Sequence, residues 1–309
     1  MAEELKPPYP TILSRLNQGR VIPFLGSGTS LGGRAPDAEW REGTSAFLPT
    51  AAELANYLAR MTQFPQDEPI DLAKVAQYYD VVNGRVVLDE VLRGIFSNSY
   101  SLTALHTFLA TIKVPLLIVT TNYDDGIERA FEAEGRPYDL VTHTTDDAIG
   151  DQLLWYEHGE AEPQEVIPNK FVIDLRSRTV IYKMHGSVDR RGCMRDQFLI
   201  TEDDYVEFLS RMTKNSAIPA MFAEPFQQRH FLFLGYSLTD WNLRVVLNRI
   251  EKDLRRRRGL RSWAIRWRVT PLERRFWQER GVEVYNMLID DFVHELNAGQ
   301  NQYDGHKIK

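Results

Sequence analysis

Cysteine is nearly absent: Cys193 is the single one in 309 residues. One thiol excludes an intrachain disulfide and any zinc site built on several cysteines, and it suits a reducing compartment. No apolar run approaches the ~18 residues a membrane-spanning helix needs. Met1 to Pro10 mixes acids with prolines and has no apolar stretch, so no signal peptide is expected there. An excess of positive charge is also missing. Thirty-seven Lys and Arg against forty-three Asp and Glu leave a net charge of −6, which argues against a general nucleic-acid binder. There is no internal repeat and no low-complexity segment. His106, His143 and His158 lack metal-ligand spacing with nearby acids, so no metal site is expected. What remains is an ordinary globular composition, 43% hydrophobic and 26% charged. The chain is long enough for a large core in one domain, or one domain with an inserted module, and a cytoplasmic setting is the expectation.

Short apolar runs rich in branched residues read as fully buried strands. They occur at Val21–Leu25, Pro115–Thr120, Thr179–Met184 and Phe231–Leu234. A further strand is expected near Tyr138–His143, with hairpin pieces at 152–157 and 170–175 and alternating strands at Ser262–Val269 and Val282–Asn286. Between them lie helical patterns. Thr50-Ala51-Ala52-Glu53 forms a capping box that opens a helix through about Met61, and 71–80, 85–96 and 102–112 continue as amphipathic helices. Helices also fit 201–212 and 219–228, and one starting near Thr239 or Asp240 ends in Arg255–Arg258. Thr270-Pro271-Leu272-Glu273 gives a second helix start. Strands separated by helices imply a largely parallel, doubly wound α/β sheet of Rossmann type. The organisation expected is one domain over 12–297, with a helical module inserted at 49–110 and tails at 1–11 and 298–309.

Four of the buried strands end in polar or glycine-rich turns: Gly26-Ser27-Gly28, Asn122-Tyr123-Asp124, His185-Gly186-Ser187 and Gly235-Tyr236-Ser237. In a parallel sheet all carboxyl ends lie on one side, so these turns converge on one crevice large enough for a nucleotide. The first turn lets backbone N–H groups approach a phosphate. It departs from the dinucleotide fingerprint, because Leu31 stands where a third glycine would be. No Lys-Ser/Thr follows it either, which argues against a P-loop NTPase.

Gly-Ser-Gly-Thr-Ser (26–30), Thr-Thr-Asn-Tyr-Asp (120–124), His-Gly (185–186) and Gly-Tyr-Ser-Leu (235–238) stand in the order of the sirtuin motifs. Over residues 20–240 the chain most resembles the sirtuin-like NADase branch of bacterial anti-phage defence, the type found in Thoeris effectors. The resemblance implies NAD+ as substrate. It places the phosphates at Gly26, Ser27, Gly28 and Thr29, beside Thr120 and Thr121, and the adenosine ribose near Gly235, Tyr236 and Ser237. It matches Asn122 and His185 to the catalytic asparagine and histidine, and Asp124 to the nearby acid. It also implies a homo-oligomer or a partner such as a HerA-like ATPase or an Argonaute-type protein. Two departures argue against protein deacylation: the four-cysteine zinc module is missing, and Thr121 replaces the usual glutamine. Gly33-Arg34-Ala35-Pro36-Asp37 matches the deacylase arginine motif only loosely.

The chemistry is consistent with that implication. Cleavage of a nicotinamide–ribose bond builds positive charge on the ribose, as glycoside cleavage does. Asn122 cannot act as a base but can orient a water or an amide by hydrogen bonding. His185 has an ordinary pKa suited to accepting a proton near neutrality. Asp124 can hold Asn122 or offset the developing charge. Plainer roles stand beside these: Asn122 as an Asx-turn residue, His185 as a satisfied core residue, and Asp125 as a helix N-terminal acid. Three functions follow in order: an NAD+ glycohydrolase, a non-catalytic NAD-binding scaffold, and a deacylase or ADP-ribosyltransferase. The arginines of 255–268 read first as a solvated helix end and strand edge, with Trp263 and Trp267 as candidate interface anchors.

Overall fold

Among the described residues, seven consecutive strands of the main sheet pair in parallel, and their alternating side chains explain why both faces are covered. The computed structural model describes residues 6–35, 37–144, 152–189, 195–213, 218–236 and 261–307. Ser237, Cys193 and the expected helix with Arg255–Arg258 lie outside the described residues. The main strands are β1 (Val21–Leu25), β2 (Leu117–Thr120), β3 (Tyr138–His143), β4 (Leu153–Tyr156), β5 (Gln164–Val166), β6 (Thr179–Lys183), β9 (His230–Leu234), β10 (Ser262–Arg266) and β11 (Val282–Asn286). They form one sheet in the order β11-β10-β9-β1-β2-β6-β3-β4-β5, in which β4 pairs antiparallel with both β3 and β5. A separate hairpin joins β7 (Gly186–Ser187) to β8 (Gln197–Phe198).

Period-two alternation sorts the strand residues into two cores. Ile22, Phe24, Leu117, Val119, Tyr182, Phe231 and Phe233 face one layer, which includes α7 (Glu202–Thr213), α8 (Ala223–Gln228) and α9 (Pro271–Gln278). Val21, Leu25, Ile118, Ile181, Leu232, Leu234 and Trp263 face the other. That layer contains α1 (Tyr9–Leu16), α5 (Ala104–Thr111), α6 (Gly126–Ala133) and α10 (Ile289–Lys307). A doubly wound sheet results, as the strand and helix alternation predicts.

Between β1 and β2 the chain makes three more helices: α2 (Ala51–Thr62), α3 (Leu72–Asn83) and α4 (Arg85–Phe96). The capping box at Thr50 and Glu53 forms as its sequence requires. These helices close a third core on Leu58, Val75, Leu88 and Leu92, joined by Val188, Phe198 and Ile200 from around the β7–β8 hairpin. Helix α5 packs on the main sheet instead.

Two local expectations fail for physical reasons. The second hairpin piece is not at 170–175; β5 lies at Gln164–Val166 and pairs with β4. Phe171 and Ile173 are buried while Val172 is exposed, so that stretch alternates in burial without forming a ladder. Trp263 is not an interface anchor: it is 2% exposed and stacks on His230 with ring centroids 5.0 Å apart. Trp267 does stay exposed.

Candidate functional site

The four polar strand ends belong to β9, β1, β2 and β6, which are consecutive neighbours in the sheet. Chain order reverses between β1 and β9, the kind of switch point where open α/β sheets bind ligands. Here the two glycine turns meet closely. Gly26 N–H donates to the Leu234 carbonyl at 2.9 Å and Gly28 N–H to the Gly235 carbonyl at 3.2 Å. Gly235 has φ +71°, and a Cβ there would lie 2.6 Å from the Thr29 nitrogen. Only glycine satisfies both the left-handed backbone and the contact.

The carbonyl of Leu25, at the end of β1, gathers the neighbouring strand ends. It accepts from Thr121 N–H at 3.1 Å, from the Thr120 hydroxyl at 3.0 Å and from the Tyr236 hydroxyl at 2.8 Å. Thr120 Oγ1 also accepts from Asn122 N–H at 3.0 Å. Thr29 Oγ1 donates to the Gly26 carbonyl at 2.7 Å. Both threonines are 1% exposed and brace the turns from behind rather than facing the cleft.

Asn122 sits on this brace. Its Nδ2 lies 3.1 Å from the Gly26 carbonyl, 3.0 Å from Thr29 Oγ1 and 3.1 Å from Ser30 Oγ. The carbonyl can only accept, so the amide nitrogen must face it. That orientation leaves Asn122 Oδ1 buried with no partner among the described residues. Ser30 passes the contact on: its hydroxyl donates to Asp124 Oδ2 at 2.9 Å, and Asp124 Oδ1 accepts from Gly126 N–H at 2.9 Å. Asp124 therefore acts on Asn122 through Ser30, and Gly126 N–H ties it to the start of α6. Asp125 forms an ion pair with Arg129 one helical turn on, at 3.1 Å.

His185 follows β6 and lies edge-on to Tyr205 and Phe208, with centroids 5.6 and 5.8 Å away. It is 5% exposed, and its Nε2 has no partner among the described residues. Burial, aided by His143, pushes its pKa down to about 3, so the ring is neutral at pH 7. The sequence alone suggests ordinary basicity; the apolar packing removes it. Gly186, at φ +83°, could not hold a side chain, because a Cβ would lie 2.1 Å from the Gln197 carbonyl of the facing strand.

One cleft of about 410 Å³ includes Ser27, Thr121, Asn122, Asp124, His185, Gly235 and Tyr236 in its lining. Its other wall comes from the helical layer: Leu48, Thr50, Leu54 and Leu72, with Tyr205 of α7. Arg34 fastens that wall. Its guanidinium pairs with Glu53, reaches the Ala38 carbonyl at 3.2 Å and lies over the Phe47 ring at 4.4 Å. Glu53 also accepts from Trp40 N–H and Thr50 N–H, each at 2.8 Å. Arg34 is thus a latch of the wall.

Sequence reasoning missed three residues here. Ser30 is the link between Asn122 and Asp124. Lys183 and Glu128 form a buried pair at 2.6 Å beneath them. A lysine ending an otherwise apolar strand is the signal that could have found the pair, since a buried charge needs a partner.

The sequence profile of the SIR2-like domain matches residues 116–285, more than half of the chain. The chain belongs to the SIR2-like family. The chain is similar to NAD(+) hydrolase ThsA of Acinetobacter baumannii (strain 532279), 30% identical over 241 residues, covering 77% of this chain and 41% of that protein. NAD(+) hydrolase ThsA of Bacillus cereus (strain MSX-D12) is 27% identical over 211 residues, covering 66% of this chain and 38% of the relative. Defense-associated sirtuin 2 of Bacillus subtilis is 22% identical over 237 residues, 75% of this chain and 20% of the relative. The chain thus spans about two fifths or less of the length of these curated relatives. Among the described residues of the SIR2-like chain, no cluster of three His, Cys, Asp or Glu could hold a metal ion. No helix among them is long and apolar enough to cross a membrane.

Proposed function

We propose that the cleft cleaves the nicotinamide–ribose bond of NAD+, with water as acceptor, giving nicotinamide, ADP-ribose and a proton. The observation that supports this best is that two residues lining one cleft each carry a buried polar atom without a partner among the described residues, Asn122 Oδ1 and His185 Nε2. Buried polar atoms are normally satisfied, so two orphans beside a glycine turn suggest atoms reserved for a ligand. The names of the ThsA relatives support NAD+ as that ligand.

The phosphates lie against Gly26, Ser27 and Gly28, and the adenosine ribose near Gly235 and Tyr236. Asn122 Oδ1 accepts a hydrogen bond from the attacking water or a ribose hydroxyl, while its fixed amide nitrogen cannot turn to donate. The C1′–N bond breaks as its electron pair leaves with neutral nicotinamide. Asp124, held behind Asn122, offsets the positive charge that develops on the ribose. His185 takes the proton released by water. That role requires the anionic substrate to raise the His185 pKa on binding.

The setting we infer is cytoplasmic NAD+ depletion by a defence effector, since the relatives' names include a defence-associated sirtuin. A switch then holds the activity off until triggered, through self-association or a partner such as a HerA-like ATPase or an Argonaute-type protein. The helical layer α2–α4 is the surface we favour for that contact.

Nicotinamide release from NAD+, followed by chromatography with and without candidate activators, tests the reading. Asn122→Ala and His185→Ala should each lower turnover by at least about 100-fold. Full turnover in both variants would refute it. The low pKa of His185 favours one alternative, an NAD-binding scaffold. Calorimetry distinguishes it: NAD+ would bind and remain intact under every activating condition.

A further inference from the structure

Beneath the Asn122 turn, behind the cleft lining, lies a charged group that the proposed chemistry does not use. Lys183 is 0% exposed, and its ammonium has four neighbours. They are Glu128 Oε1 at 2.6 Å, the Asp124 carbonyl at 2.6 Å, Ser187 Oγ at 3.2 Å and the Tyr123 carbonyl at 3.3 Å. An ammonium has three N–H bonds, so every one is engaged within the protein. Lys183 is absent from the cleft lining. It does not reach the ligand.

Its contacts join the segments that the chemistry must hold in register. Tyr123 and Asp124 belong to the turn that presents Asn122. Ser187 lies two residues beyond His185, and its hydroxyl donates onward to the Val188 carbonyl at 2.9 Å. Val188 N–H returns to the Tyr123 carbonyl at 3.0 Å, closing a ring between the two turns. Glu128, in the first turn of α6, anchors the cation from below. Its second oxygen, Oε2, is buried without a partner among the described residues, and burial raises its pKa.

Stability does not account for such an arrangement. A buried ion pair exchanged for apolar side chains of similar volume is often neutral or stabilising, because both charges lose their hydration. What apolar residues cannot supply is a donor set that fixes two backbone carbonyls and a hydroxyl. We propose that Lys183, held by Glu128, is a positioning residue that sets the distance and orientation between Asn122 and His185. This role rests on the proposed NAD+ cleavage. A misplacement of about 1 Å at a reacting centre can cost about 100-fold in rate, which gives the size of the effect.

Two variants test it. Lys183→Met/Glu128→Leu removes the whole pair without leaving an unpaired charge, and Ser187→Ala removes only the link to the His185 turn. The double variant should lose about 100-fold in kcat per folded molecule, with KM for NAD+ changed by less than about threefold. Ser187→Ala should lose about three- to tenfold in kcat, with the same KM pattern. A merely structural pair would leave kcat per folded molecule untouched. If both variants turn over within twofold of wild type, or if only KM moves, the positioning role is wrong. The side-chain resonances of Asn122 and the ring nitrogens of His185, read by ¹⁵N NMR without ligand, keep this separate from the NAD+ reading. Should the wild type release no nicotinamide, the cleavage reading fails, and the spectra still decide the positioning. Shifted signals in folded variants support it, and unchanged signals overturn it.

Discussion

Lys183–Glu128 and Arg34–Glu53 are ion pairs that stand behind two different walls of the same cleft, and their surroundings differ sharply. The first, deeper pair has side chains 0% and 7% exposed; the second, shallower pair has 11% and 25%. Lys183 spends its donors on backbone carbonyls of the Asn122 turn. Arg34 spends its donors on Glu53 and on the loop leading to α2. At the deeper pair, water cannot replace a lost partner. At the shallower one it can. The deeper pair therefore sets geometry, and the shallower pair sets which loop conformation borders the cleft.

Breaking each pair from one side should expose that difference. Lys183→Met leaves a buried carboxyl without its cation and should cost about 3–5 kcal/mol in denaturant unfolding. Arg34→Met should cost about 1–2 kcal/mol, because solvent reaches Glu53. Equal losses would erase the distinction between the two pairs.

Acid sharpens the comparison further. The folded pKa of His185 is pushed down from 6.5 to about 3, so the unfolded chain takes up a proton that the folded chain refuses. Stability should fall by up to about 1.4 kcal/mol per pH unit as pH drops from 6.5 toward 3. His185→Gln should flatten that limb in unfolding curves measured across pH. Glu53 acts in a lower window. The Arg34 guanidinium, with help from Thr50 and Trp40, holds its pKa at about 2 against an ordinary 4.5. Its stabilisation is present above 4.5 and is lost as pH falls toward 2. The smallest expected effect is Thr50→Ala, which removes the α2 cap for about 1 kcal/mol, read from the thermal midpoint.

Most of the sheet was legible because buried strands are written as apolar runs with polar ends. Val21–Leu25, Leu117–Thr120, Thr179–Lys183 and His230–Leu234 form strands within one residue of their expected limits at most termini. The convergence of their ends was legible for the same reason, since parallel strands share one carboxyl side. Less was legible where tertiary context decides. Nothing local separates Phe171–Ile173, which alternates without a ladder, from a strand. The basicity of His185 depends on Tyr205 and Phe208, about twenty residues downstream in α7. Ser30 reads as one of several small loop residues until Asp124 is seen 2.9 Å from its hydroxyl. Lys183 stands out at the end of an apolar strand, but its role is not local, because its partners come from the 123–128 segment and Ser187.

The glycine after His185 has a wider consequence. A Cβ at Gly186 would collide with the Gln197 carbonyl, and one at Gly235 with the turn of Gly28 and Thr29. Both glycines are demanded by neighbouring backbone, whatever the cleft binds. A relative of this fold without the proposed chemistry would still need them, and would still display most of the motif pattern. Inheritance of the architecture and inheritance of the reaction are therefore separable in this family's sequences. On the proposed reading, Asn122 and His185 are the two side chains where they would part.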